Sequence, residues 1–179
     1  EDLLSLSAIE VEEHVAPQDR VRVVELIEGV VESLGQGAEA KDMKVIVDAS
    51  EDTPKVLGDS DFLVQVIRNL VENAIFYGRA GTQVTVTVRP MDRLAETGGP
   101  GVSVAVTDSG EGIAREHLPR LTERFYRADT ARSRQLGGTG LGLAIVKHII
   151  NRHRGRLTID SELGKGSVFT ITLPAAGPK

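Results

Sequence analysis

GGTGLGLAIVKHII, residues 137–150, sets four glycines immediately before an apolar run with helical spacing. Inside a helix each glycine costs about 1 kcal/mol relative to alanine. At a helix start, however, the bare backbone leaves N–H groups uncovered where the helix dipole attracts anions. The stretch therefore predicts a phosphate cradle. The same glycines also suit a hinge at the base of a loop that closes over a ligand. Such a loop precedes them: residues 109–138 are polar and irregular and carry Arg124, Arg127, Arg132 and Arg134. A compact domain seldom keeps so long a loop without a functional reason.

Composition narrows the class. The chain has 179 residues, 40% apolar and 26% charged, with no cysteine and a net charge of −5. That is one soluble globular domain with a real core and no disulfide staple. No apolar run approaches the roughly 20 residues of a membrane span, and the N-terminus is not a secretory signal. The cytoplasm is the expected compartment, with any membrane attachment left to segments upstream. The acidic balance and six aromatic residues argue against a direct nucleic-acid partner.

Around the cradle the elements follow from periodicity. Residues 1–16 place Leu3, Leu4, Leu6 and Ile9 at helical spacing, turn acidic and stop at Pro17, as the tail of a helix begun upstream would. Asp19 is the expected cap of an amphipathic helix over residues 21–41, with Val23, Leu26, Ile27, Val30, Val31 and Leu34 on its packing side. Residues 44–50 alternate as a half-buried strand, and 56–59 form a short one. Asp59 or Ser60 opens a long helix that Gly78 ends. Residues 83–90 and 102–108 alternate strongly and are joined by the glycine-rich stretch 91–101, expected as an exposed hairpin connection. After the long loop come one more helix, residues 141–153, and two strands, 155–160 and 167–173. The expected fold is α+β: a two-layer sandwich, with a mixed, mostly antiparallel sheet covered by about three helices.

Two further stretches carry chemistry. In RNLVENAIFYG, Asn69, Asn73 and Tyr77 fall at i, i+4 and i+8 on one helix face, beside the packing face of Val66, Leu70 and Ala74. Asparagine is a mediocre helix former, and an amide oxygen suits a hard cation such as Mg²⁺. The plain alternative is a pair of solvent-facing amides. In VSVAVTDSGEGI, a strand ends in Asp108, and Gly110 and Gly112 in the next turn permit close approach of a ligand. An ionised aspartate only accepts hydrogen bonds. It therefore suits the amino group of adenine and opposes the carbonyl of guanine.

Taken in order, RNLVENAIFYG, DSGEGI, ERFYRAD and GGTGLGLAIVKHII resemble the N, G1, F and G2 boxes of the catalytic ATP-binding domain of sensor histidine kinases. The resemblance spans residues 17–174. KHIINRHRGRL in addition resembles phosphate-regulon sensor kinases. The resemblance implies the Bergerat sandwich of the gyrase, chaperone and kinase ATP-binding domains, with ATP between the N-box helix and a mobile lid at about 109–139. It makes Asn73 the Mg²⁺ ligand, Asn69 a catalytic contact of phosphate and metal shell, Asp108 the adenine reader and Tyr77 an adenine-side packing residue. Gly110, Gly112 and Ile113 would shape the base pocket; Gly138, Thr139, Gly140, Leu141, Gly142 and Leu143 would lie on the phosphate side.

This sequence departs from the family pattern in two places. Phe76 stands where the family often has lysine, which leaves Arg127 or Arg132 as the phosphate contact. Thr122 replaces a usual phenylalanine, which leaves Phe125 as the lid's packing anchor.

The resemblance implies transfer of the γ-phosphoryl group to a histidine on a dimerisation domain, then to an aspartate of a response regulator. No phosphoacceptor box is present, and His14, His117, His148 and His153 read as surface or packing histidines. Residues 1–16 are thus expected to be the stub of the dimerisation helix and 17–179 the catalytic domain. The ATP-hydrolysing relatives carry a glutamate where Asn69 stands, and an amide cannot take a proton from water. Weak intrinsic hydrolysis of ATP follows, with ADP as the product of transfer. Glu72, beside Asn73, is a second catalytic candidate, placed to polarise the incoming histidine. An ATPase and a non-catalytic nucleotide sensor remain the alternatives.

Overall fold

The computed structural model describes residues 15–128 and 139–177. The chain opens with β1 (Arg20–Val21), which pairs antiparallel with β3 (Val56–Leu57). Helix α1 (Val23–Glu39) follows and buries Val23, Ile27 and Val30, with Leu26, Val31 and Leu34 packed against the core. Asp19 does not cap it. Residues 20–21 are held extended by β3, and the Asp19 carbonyl accepts the Gly58 N–H at 2.9 Å. The helix therefore starts only after Arg22, which makes no side-chain cap.

Helix α2 (Ser60–Tyr77) is capped as its sequence demands: Asp59 Oδ1 accepts the N–H groups of Asp61 and Phe62 at 3.0 and 3.3 Å. A cap of this kind contributes about 1 kcal/mol. Leu63, Val66, Ile67, Leu70, Val71 and Ala74 form its buried face, and the chain turns extended at Gly78.

The main sheet contains β2 (Lys44–Ala49), β4 (Gln83–Met91), β5 (Gly101–Asp108), β6 (Arg156–Glu162) and β7 (Gly166–Pro174), in the order β2-β4-β5-β7-β6. β2 and β4 run parallel because α2 crosses over between them. The other three pairings are antiparallel. This is the expected mixed sheet, and α1, α2 and α3 (Gly142–Arg152) cover one face of it, with α2 touching both other helices.

Alternation along the strands separates the two faces. Val84, Val86 and Val88, Val102, Val104 and Val106, and Phe169, Ile171 and Leu173 point into the helical layer and are buried. Each such chain contributes about 1.5–3 kcal/mol relative to an exposed one. Thr85, Thr87, Ser103, Thr107 and Thr170 line the opposite face.

Two loops carry more structure than their composition shows. The β4–β5 connection is not wholly exposed: Leu94 folds back into the interior, with hydrogen bonds from its N–H to the Gly99 carbonyl and from the Gly98 N–H to its own. The long loop after β5 contains a 3₁₀ turn at Leu118–Arg120. Along its further course, Arg132, Arg134, Gly137 and Gly138 lie outside the described residues, as do His14 and most of the 1–16 segment.

Candidate functional site

The floor of the site is Asp108, the last residue of β5, only 6% exposed. Its Oδ1 accepts the Gly110 N–H at 2.8 Å, and the Ser167 N–H also bonds the carboxyl. Burial pushes the carboxyl above its ordinary value, and the two backbone donors only partly offset that. A carboxylate held this way is a fixed acceptor at the mouth of the sheet.

The G1 turn is clamped from two sides. A Cβ on Gly110 would lie 2.4 Å from the Tyr77 carbonyl oxygen at the end of α2. Gly112 has φ +74°, and a Cβ there would lie 2.2 Å from the Glu162 carbonyl. Only glycine fits this slot. The Ile113 N–H then donates to Ser161 Oγ at 2.8 Å, and the Ile113 side chain packs on the core. The β6–β7 hairpin therefore holds the turn that holds Asp108.

Helix α2 forms the wall. Asn69 and Asn73 are half-buried one turn apart, and Tyr77 is 46% exposed with its ring edge-on to Phe76 at 4.7 Å. Asn69 Nδ2 donates to the Gly142 carbonyl at 3.3 Å, which ties the wall to the first residue of α3. Glu72 faces solvent and pairs with Arg68 at 3.5 Å, while Arg68 also donates to Ser33 of α1. Glu72 thus sits on the flank of α2 nearer α1.

The described part of the glycine-rich stretch, residues 139–143, leads directly into α3. Leu141 is buried and, as the residue before α3, supplies no side-chain cap to the first N–H groups of the helix. Gly142 begins the helix, and Leu143 packs half-buried against the core. Thr139 Oγ1 accepts the Leu141 N–H at 3.3 Å. Gly140 has φ +72°, its carbonyl accepts the Phe125 N–H at 2.9 Å, and a Cβ on it would stand 2.9 Å from Phe125 Cα. The F segment and the G2 segment are therefore in backbone contact.

Phe125 is not the packing anchor that its position promised. Its ring is 61% exposed and its own φ is +63°. This segment is held instead through the Phe125 backbone, and by Tyr126, whose hydroxyl meets His117 Nδ1 at 2.5 Å under the Arg120 guanidinium. Arg127 is half-buried in the same segment.

Phe76, in place of the family's lysine, is covered by a different lysine. Lys41, in the turn after α1, donates to the carbonyls of Ile75 and Phe76 at 2.6 and 2.8 Å and lies 5.8 Å from the Phe76 ring centroid. Sequence reading missed Lys41, Ser161 and Ser167. Nothing in their local context marks them, because each is brought to the site from a separate element.

Of the described histidines, His117 meets Tyr126 in the loop after β5, and His153 has a structural position. His153 is 3% exposed; its Nε2 accepts the Asp59 N–H at 3.0 Å and its Nδ1–H donates to the Ile149 carbonyl at 2.7 Å. It joins the end of α3 to the start of α2.

Residues 58–177 match the family described as Histidine kinase-, DNA gyrase B-, and HSP90-like ATPase. The sensor-like histidine kinase SenX3 of Mycolicibacterium smegmatis is 40% identical over 97% of the chain, and the phosphate regulon sensor protein PhoR of Pseudomonas aeruginosa is 36% identical over 94%. The chain spans 43% and 36% of those two proteins. Full-length ShkA in complex with AMPPNP superposes on 99% of the chain with a TM-score of 0.82 at 26% identity, over 35% of its own length. With a match over residues 58–177, the chain belongs to the Histidine kinase-, DNA gyrase B-, and HSP90-like ATPase family, and over nearly its whole length it is similar to sensor histidine kinases.

Proposed function

We propose that the chain binds ATP with Mg²⁺ in this cleft and passes the γ-phosphoryl group to a histidine on a dimerisation domain upstream, of which residues 1–16 are the last part and 17–179 the catalytic partner. A response-regulator aspartate is the final acceptor, and phosphate-regulon sensing fits the likeness to PhoR. The observation that carries the reading is the amide at Asn69, half-buried and bound to Gly142. It occupies the place of the ATPases' glutamate, and an amide does not deprotonate water.

In this reading the Asp108 carboxylate accepts the adenine amino group, and Tyr77, Ile113, Gly110 and Gly112 bound the base. The first N–H groups of α3, with Thr139, Gly140, Leu141, Gly142 and Leu143 around them, receive phosphate oxygens, joined by Gly138 and by Arg127 or Arg132 from the lid. The donor set fits Mg²⁺: the Asn73 amide oxygen and that of Asn69, whose Nδ2 is already engaged with Gly142, are hard, neutral ligands, few enough to leave room for water and phosphate oxygens. Mg²⁺ bound there would neutralise charge developing on the transferred group.

In the transfer step, the acceptor imidazole nitrogen bonds to the γ-phosphorus as the bond to the β–γ bridging oxygen breaks, and ADP leaves with that oxygen. The imidazole N–H proton is lost to solvent or to Glu72. Glu72 would first have to leave Arg68.

No helix among the described residues is long and apolar enough to cross a membrane, and we place the domain in the cytoplasm, tethered through upstream sequence. Mixing the chain with its own dimerisation segment, Mg²⁺ and γ-labelled ATP tests the proposal. Label on the segment that survives alkali but not acid is the expected result. Steady phosphate release without labelled segment would instead make the domain an ATPase, and binding without either product a nucleotide sensor.

A further inference from the structure

We infer that Ser161 is a positioning residue: it draws the Ser167 hydroxyl proton away from the base pocket, so that the pocket floor presents hydrogen-bond acceptors only and selects a purine with an amino group over one with a carbonyl. The inference rests on the reading of Asp108 as the base-holding residue.

Strand register supplies the first argument. Asp108 of β5 stands opposite Ser167 of β7, and Ser167 stands opposite Ser161 of β6. Residues directly opposite in antiparallel pairs share a face, so the three side chains form one row across three strands. The next row is Val106, Phe169 and Ile159, apolar throughout. A polar row thus closes an otherwise apolar sheet face at the end where the candidate site lies, and Asp108 and Ser167 are each 6% exposed.

Counting protons supplies the second. A serine hydroxyl has one proton to donate and two lone pairs. Ser161 Oγ donates to the Gly166 carbonyl at 2.9 Å and accepts the Ile113 N–H at 2.8 Å. Its remaining lone pair faces Ser167 Oγ at 2.8 Å. The proton in that contact is therefore Ser167's. The opposite arrangement would leave Ser161 Oγ and the Gly166 oxygen 2.9 Å apart with no proton between them, two acceptors repelling each other. With its proton committed to Ser161, Ser167 turns lone pairs toward the space beside Asp108. An amino group brings donors to both acceptors, whereas a carbonyl at the same position sets its own lone pairs against two lone-pair fields. Asp108 alone would discriminate, but an unrestrained Ser167 could rotate and offer its proton to a carbonyl. Ser161 removes that option.

The test compares ADP with inosine diphosphate, which carries a carbonyl where adenine has its amino group, by calorimetry with Mg²⁺. Ser161→Ala is expected to narrow the ADP:IDP affinity ratio about 5- to 10-fold. Ser161→Thr, which keeps the hydroxyl, should retain the wild-type ratio, and in a Ser167→Ala background Ser161→Ala should leave the ratio where Ser167→Ala put it. An unchanged ratio in Ser161→Ala, or the same narrowing with Ser167 already removed, overturns the inference, since Ser161 would then act on the fold and not through Ser167. If Ser161→Ala does not fold, Ser167→Ala with the Ile113 tether intact carries the test: its ratio narrows if Ser167 faces the base as an acceptor, and no change overturns the inference. Asp108→Asn separates the two levels. If it leaves ADP affinity untouched, the base is not held at Asp108, and the reading of the site itself falls.

Discussion

His153 Nε2 accepts the backbone N–H of Asp59 at 3.0 Å, so the last turn of α3 holds the N-cap of α2, and the two helices that flank the candidate site are latched at one end by a neutral imidazole. The other latch is the bond from Asn69 to Gly142.

Burial is the main cause that lowers the His153 pKa from its ordinary 6.5; neighbouring Arg152 adds to it, and the bond to Ile149 and the nearby Asp59 oppose it. The unfolded chain therefore takes this proton first. Stability from this group is fully present above about pH 6.5 and is lost as the pH falls below that value. Thermal midpoints measured from pH 8 to pH 5 should decline on the acid side, and His153→Gln, which can both donate and accept but does not titrate, should flatten that decline. An equal slope in both proteins would locate the titration elsewhere.

Asp108 runs the other way. Its folded pKa lies above the ordinary 3.8, so its contribution to folding favours acid: it is present below 3.8 and is lost as the pH rises through the folded value. A ligand amino group that bonds the ionised carboxylate reverses this, so ADP should bind more weakly as acid protonates Asp108 and should release a proton on binding in that range. Asp108→Asn should weaken ADP binding by about 1–3 kcal/mol. Calorimetry in two buffers of different ionisation enthalpy reads both effects.

Asn73→Ala should lower ADP affinity about tenfold with Mg²⁺ present and little with the metal chelated. Titrations with and without chelator decide it: equal losses in the two conditions would make Asn73 a contact of the nucleotide and not of the metal.

Gly140→Ala places a side chain at φ +72° and 2.9 Å from Phe125 Cα. The left-handed backbone alone costs about 1–2 kcal/mol, and relief requires the Phe125 segment to move. Faster ADP release in stopped flow is the expected outcome, with the rest of the fold intact by circular dichroism.

Lys41→Met removes two hydrogen bonds to the last carbonyls of α2. A loss of about 1 kcal/mol, or about 2–4 °C in thermal midpoint, is expected, and Lys41→Arg should recover most of it. An unaltered midpoint in Lys41→Met would show that water replaces the ammonium at no cost.

Much of this architecture follows from local rules. Alternating valines and threonines at 83–88 and 102–107 specify strands with one buried face, and Asp59 and Gly78 bracket α2 through a side-chain cap and a turn written in the local sequence. Asn69, Asn73 and Tyr77 share a helix face by periodicity alone, and Asp108 sits at a strand end because its strand stops at a glycine turn. The short β1–β3 pairing was not legible, because two residues carry no period, and it displaced the expected cap at Asp19. Phe125 misled for the same kind of reason: a large apolar residue in a loop predicts burial, but what a loop residue buries depends on what the fold sets beside it, and here its ring stays in solvent.

The sequence by itself determined which groups exist at the site and on which elements they ride, since side-chain chemistry and hydrophobic period are properties of neighbours along the chain. Tertiary structure alone decided which of them meet: that Lys41 caps the helix carrying Phe76, that His153 holds the cap of α2, and that Ser161, Ser167 and Asp108 stand in one row. The reason is that strand register and helix packing pair residues dozens of positions apart, and the burial energy that selects those pairings is a sum over the whole core, with no term that any single stretch displays.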